Sequence, residues 1–86
     1  MLHAIVALAL NVCAPHEKMR EYLVSAYNEI PVVSAITEDE KHVMELYYSA
    51  AGTWTVVLTD TEMMSCAVMG GGDIIFGTDI QPGDRI

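Results

Sequence analysis

Two cysteines and three histidines are the side chains of this chain best suited to bind a metal ion. Cys13 and His16 are separated by two residues, which is the spacing of half a zinc site. His3, His42 and Cys66 are the other possible ligands, but neither His3 nor His42 has a second ligand near it in sequence. We therefore predict that the chain binds no metal and that its histidines are solvated or lie at the surface.

The sequence also lacks the motifs of catalysis and phosphate binding. It contains no Gly-x-Ser-x-Gly motif, and no residue that would orient a catalytic histidine can be identified. No Lys-Ser or Lys-Thr pair follows the three glycines at residues 70–72, as a phosphate-binding loop requires. The predicted protein is therefore not an enzyme and has no cofactor.

The two cysteines have a second interpretation, as a disulfide. Cys13 precedes the predicted helix and Cys66 lies in the last predicted core strand, so packing the helix on the sheet would bring their Cα atoms within about 7 Å. A bridge that closes so long a loop stabilises a protein by roughly 4 kcal/mol, and it requires an oxidising compartment. Two buried free thiols in a cytosolic protein are the alternative.

Length and charge restrict the class of protein. The 86 residues are 52% hydrophobic, which predicts one folded domain with a thin core rather than a disordered chain. Four basic residues stand against twelve acidic ones, for a net charge of −8. Because this charge repels a phosphate backbone, nucleic acid is not an expected partner.

Residues 1–12 form an apolar N-terminal segment with two possible origins. Residues 4–10 have the length of the apolar part of a secretory signal and are too few to span a bilayer, but no basic residue precedes them. The segment is predicted to be a strand, a short helix or a signal remnant. A signal would place the protein in the periplasm or outside the cell, and its absence would leave it cytoplasmic.

The remaining elements indicate an α+β fold. A helix is predicted over residues 15–29, where Pro15 suits the first turn, Pro31 ends the helix, and apolar residues repeat every three or four positions. Strands are predicted at residues 32–37, 41–49, 53–59 and 64–69, with a possible edge strand at 73–78. One helix therefore packs on an antiparallel meander of about four strands, with residues 13–70 as the core and 71–86 as a tail.

Alternation along the strands assigns side chains to the two faces of the sheet. The face of Trp54 is predicted to lie beneath the helix, with a core of Trp54, Leu46, Tyr22 and Leu23 and with Cys66 pointing inward. The other face remains too apolar for solvent. The N-terminal apolar segment, the tail or a second copy of the chain could cover it, and a symmetric homodimer is the preferred cover. The predicted interface residues are Val43, Tyr47, Val57 and Met69.

Several short motifs occur in a distinctive order. Cys13-Ala14-Pro15 begins a helix, Gly52-Thr53-Trp54-Thr55 begins a strand, and Ser65-Cys66 lies in the last strand. In this order the chain resembles a family of small uncharacterised proteins from proteobacteria and their phages. The resemblance implies a bridge between helix start and last strand, and it implies no activity.

The predicted function is accordingly that of a non-enzymatic binding or inhibitor module. Its partner is predicted to be a second copy of the chain or another protein, acting through the apolar face or its acidic rim. A small structural component of a virion or cell envelope is the alternative.

Overall fold

The fold is one helix on a five-stranded antiparallel sheet, as seen in a computed structural model that describes residues 12–77. The elements are β1 (Val12–Pro15), α1 (His16–Tyr27), β2 (Ile30–Ile36), β3 (His42–Tyr48), β4 (Trp54–Asp60) and β5 (Met64–Gly71). The strand order is β1-β5-β4-β3-β2. This confirms the α+β class, and the strand absent from the prediction is β1.

Helix α1 connects the two opposite edges of the sheet, because β1 and β2 are the outermost strands. A helix of 12 residues is about 18 Å long. Four spacings between neighbouring strands add up to about 19 Å. The length of the helix therefore matches the width of the sheet that it crosses.

Both ends of α1 have identifiable local causes. Pro15 precedes the first helical residue and Glu17 places a negative charge in the first turn, where the helix dipole favours it. At the other end Asn28 adopts the left-handed conformation with φ 56°. Its N–H donates to Val24 O at 3.0 Å, and the chain then turns into β2.

The helix covers the face of the sheet opposite to the one predicted. Met19 and Leu23 of α1 form the buried core with Tyr47, Val57 and Ala67. We call this side of the sheet the inner face. Trp54 and its neighbours point the other way, so the predicted core face was wrong.

Paired hydroxyl groups explain why a threonine-rich face is the buried one. Thr55, Thr59 and Ser65 are all buried on the inner face. The Thr59 and Ser65 hydroxyls lie 2.6 Å apart and form a hydrogen bond. Because a buried hydroxyl is costly only when it has no partner, polar residues in a strand do not by themselves mark the solvent side.

The chain after β5 folds back against the outer face of the sheet, which is the face opposite α1. The Trp54 Nε1–H donates to Gly72 O at 3.2 Å, and the Phe76 ring meets Tyr48 edge to face with centroids 5.1 Å apart. Residues 73–77 are not a strand, so the edge strand predicted there was wrong over these residues. Predictions for residues 1–11 and 78–86 lie outside the described residues.

Candidate functional site

Cys13 and Cys66 form a disulfide and face each other across β1 and β5. Their Cα atoms are 4.0 Å apart, which confirms the predicted proximity. The predicted route was wrong, because Cys66 alternates with the buried Ser65 and Ala67 and so lies on the outer face. Strand pairing, and not packing of the helix, brings the two sulfur atoms together.

The disulfide removes two of the candidate metal ligands, since neither cysteine retains a free thiolate. His16 instead contacts a carboxylate, with its Nε2 atom 3.0 Å from Glu45 Oε1. Within residues 12–77 no three histidine, cysteine or acidic side chains are grouped to hold a metal ion. His3 lies outside the described residues.

Tyr47 completes a small polar network under the start of α1. Its hydroxyl donates to Glu45 Oε1 at 3.2 Å, the same atom that His16 contacts. Burial, together with the nearby charge of Glu45, raises the pKa of Tyr47 to about 12. This tyrosine therefore stays neutral, and the network joins the first residue of α1 to strand β3.

The predicted core residues are divided between the two faces. Leu23 is buried between α1 and the sheet, whereas Tyr22 is 46% exposed and was wrongly assigned to the core. The Tyr22 hydroxyl lies 3.0 Å from that of Tyr27 at the surface, and this hydrogen bond is the main cause that raises the pKa of Tyr27 to about 12. Trp54 and Leu46 are half-buried on the outer face.

The predicted interface residues do not share one exposed surface. Tyr47 and Val57 are fully buried against α1, so their assignment to a subunit interface was wrong. Val43 is 39% exposed and lies on the inner face of β3, whereas Met69 is 50% exposed near the end of β5. No second subunit can contact Tyr47 or Val57 unless the helix leaves the sheet.

Strand β2 forms the most exposed part of the sheet, and we call it the β2 edge. Among the described residues it pairs with β3 alone, and all its side chains except Pro31 are exposed. Ile36 is 70% exposed. The strand contains no charged residue, and its large exposed side chains are Ile30, Val32, Val33 and Ile36.

Natural proteins protect sheet edges with short strands, bulges, prolines or charges. At the opposite edge β1 is four residues long and carries the disulfide. The β2 edge has Pro31 and a bulge between Pro31 and Val33, but within residues 12–77 nothing protects its second half. In this part of the chain the outward backbone groups of that second half pair with no other strand, so they are available to a further one.

The direction of these backbone groups follows from the strand pairing. Thr37 N–H donates to His42 O at 3.0 Å, so the backbone of Thr37 faces β3. Facing alternates along an antiparallel strand, and the N–H groups of Ser34 and Ile36 therefore point away from the sheet. Pro31 was the available sequence signal for this edge, because proline within a sheet is confined mainly to edge strands.

Glu29 is a buried carboxyl group that the sequence did not reveal. It lies two residues after α1, its N–H donates to Leu23 O at 3.0 Å, and the residue is 1% exposed. Oε1 has no hydrogen-bond partner among the described residues. Burial raises the pKa of Glu29, although hydrogen bonds with Thr55 and Thr53 partly oppose this shift.

We expect Glu29→Gln to stabilise the protein relative to wild type as pH rises. The pKa of Glu29 is higher in the folded protein than in the unfolded chain, where it is near 4.5. The contribution of Glu29 to stability is therefore complete at a pH below 4.5 and is lost as the pH rises through the folded-state pKa. Glutamine does not titrate, so the variant does not lose this stability as the pH rises. Urea denaturation from pH 4 to pH 8 measures the difference.

Glu38→Gln on the exposed β2–β3 turn is the control for removing one carboxylate from an acidic protein. Its stability difference from wild type should not follow the curve of the Glu29 variant. A Glu29→Gln difference that is constant from pH 4 to pH 8 contradicts the prediction.

The acidic residues of the β2–β3 turn and of the β4–β5 turn lie at the same end of the sheet, where His42 pairs with Asp60. Asp60 accepts backbone N–H bonds from Met64 and Glu62, which lower its pKa. In the β2–β3 turn a hydrogen bond from Thr37 lowers the pKa of Asp39. These carboxylates lie in the turns or at the end of a strand, and the β2 edge contains none.

Comparison of the chain with protein-family models, with curated proteins and with solved structures finds no match. Within the described range, α1 is too short and too polar to cross a bilayer.

Proposed function

We propose that the protein is a non-enzymatic binding module that accepts an extended segment of a partner protein as an additional strand on the β2 edge. The observation that carries the proposal is an uncharged, seven-residue edge strand whose apolar side chains are exposed on both faces. Strand addition of this kind gains affinity from main-chain hydrogen bonds and specificity from alternate side chains.

Two further features support binding rather than catalysis. His16, Glu45 and Tyr47 bond to one another beneath the start of the helix, so the polar groups of this network are already engaged within the fold. The Cys13–Cys66 disulfide ties the two strands at the opposite edge, which keeps the sheet rigid while a strand is added at β2. The disulfide also favours an oxidising compartment as the place of action.

The test is a selection of linear peptides from a displayed random library on immobilised protein. Wild type is compared with Ser34→Pro, which removes an outward N–H, and with Ser34→Ala, which keeps it. Both substitutions lie at an exposed position on the edge strand, so thermal denaturation should show that each variant folds.

Selected peptides should be rich in β-branched residues, should bind wild type and Ser34→Ala equally, and should bind Ser34→Pro at least about tenfold more weakly. Recovery of no binding peptide would contradict the proposal. Peptides that bind the proline variant as well as wild type would place the binding surface elsewhere and contradict it equally.

A further inference from the structure

We infer that the strand accepted at the β2 edge is β2 of a second copy of this chain, so that two five-stranded sheets join into one sheet of ten strands. This inference rests on the proposed function, since it names the partner of the same edge. The arrangement is an antiparallel pair about a two-fold axis perpendicular to the sheet. Such a contact is closed, because each edge is used once and no free β2 remains.

The charge distribution permits this pairing in spite of a net charge of −8 on each chain. Between Ile30 and Ile36 there is no charged side chain that would face its own copy. The acidic turn that follows, with Glu38, Asp39 and Glu40, lies beyond one end of β2 only. The other end of β2 is preceded by Asn28, which is uncharged, and by Glu29, which is buried.

An antiparallel pair separates the two acidic turns by the full length of the strand. Seven residues at about 3.4 Å each give about 24 Å between them. At physiological ionic strength charges are largely screened beyond about 8 Å. Each acidic turn then lies beside the uncharged start of the partner's strand, whereas a parallel pair would set the two turns side by side.

The apolar side chains of the edge also match their own copies. With the two-fold axis at Ser34, the outward backbone groups of Ser34 pair with the same groups of the second copy, while Ile36 lies opposite Val32 and Val33 opposite Ala35. Side chains such as Val33 on one face and Ile36 on the other then meet apolar partners across the new ladder. A charged or strongly basic peptide would find no complementary charge within β2.

The two-fold axis sets both copies of α1 on the same side of the joined sheet. The helices stay in place on their own inner faces, so the buried residues Tyr47 and Val57 need not move. The contact is one strand wide, and an interface of this size is expected to be weak and reversible.

Sedimentation equilibrium of the full chain in about 150 mM salt, at concentrations up to about 1 mM, tests the inference. Wild type and Ser34→Ala should approach twice the chain mass, and Ser34→Pro should remain at one chain mass. Ile36→Lys, which puts two like charges near the seam, should also remain a monomer. Met63→Lys adds the same charge at an exposed turn away from β2 and should leave the dimer unchanged.

A wild type that stays monomeric throughout would overturn the inference. So would a dimer that persists in Ser34→Pro and Ile36→Lys, because it would use another surface. If peptides dependent on Ser34 are nevertheless selected, only the identity of the partner fails. If the chain dimerises through the edge but no peptide is selected, binding of other proteins fails and self-pairing stands.

Discussion

Replacing both Cys13 and Cys66 by alanine is expected to lower the free energy of unfolding by about 4 kcal/mol. The bridge joins residues 53 apart and so closes a long loop, which restricts the unfolded chain more than a short loop would. Domains of this size have few kcal/mol to lose, so most molecules of the double variant should unfold at 37 °C. Urea denaturation at 25 °C, monitored by Trp54 fluorescence, measures the difference.

The control for this experiment is the response to reductant. Dithiothreitol should reduce wild type to the stability of the double variant and should leave the variant itself unchanged. A loss below about 1 kcal/mol would show that strand pairing between β1 and β5 constrains the chain without the bridge.

Truncation of Leu23 to alanine is expected to cost about 2 to 5 kcal/mol. Leu23 is 1% exposed and packs in the cluster of Tyr47, Val57 and Ala67, so the truncation leaves a cavity that the sheet cannot fill. Thermal or urea denaturation at neutral pH measures the loss. The disulfide should keep the variant folded at low temperature.

Val24→Ala is the matched control, one residue further along α1. Val24 is exposed, so its truncation should change stability by less than about 1 kcal/mol. The comparison determines which side of the helix faces the sheet. Equal losses at the two positions would contradict the packing described here.

The type and order of the elements from the helix onward were predictable from local patterns. The helix predicted over residues 15–29 corresponds to His16–Tyr27, with Pro15 directly before its first residue; its end lies at Asn28 and not at Pro31, which belongs to β2. The four predicted strands correspond to β2 to β5. Strand β1 was not predictable in this way, because its four residues are a strand only through pairing with β5, far along the chain.

The covered face of the sheet was not predictable, because both faces of β4 carry apolar residues. Val56 and Leu58 favour one face, and Val57 with the threonines forms the other. A pattern with period two does not distinguish these alternatives when buried hydroxyls pair with one another, as Thr59 and Ser65 do. The consequence was that Tyr47 and Val57 were assigned to an interface.

The candidate site was predictable only in part. That a strand near residues 32–37 exists followed from its β-branched residues, but its place at the edge depends on the strand order. The buried state of Glu29 depends on where the turn after α1 meets Thr53 and Thr55. Neither property has a local signature in the sequence.

The disulfide also determines how the fold would carry a mechanical load. A pull applied at residues 12 and 77 passes along the covalent chain from Cys13 through the sulfur atoms to Cys66, so the covalent path of the load bypasses the helix and strands β2 to β4. The loop of 53 residues stays out of the extending chain until the bond is reduced. Reduction would then release roughly 180 Å of chain in a single step of lengthening.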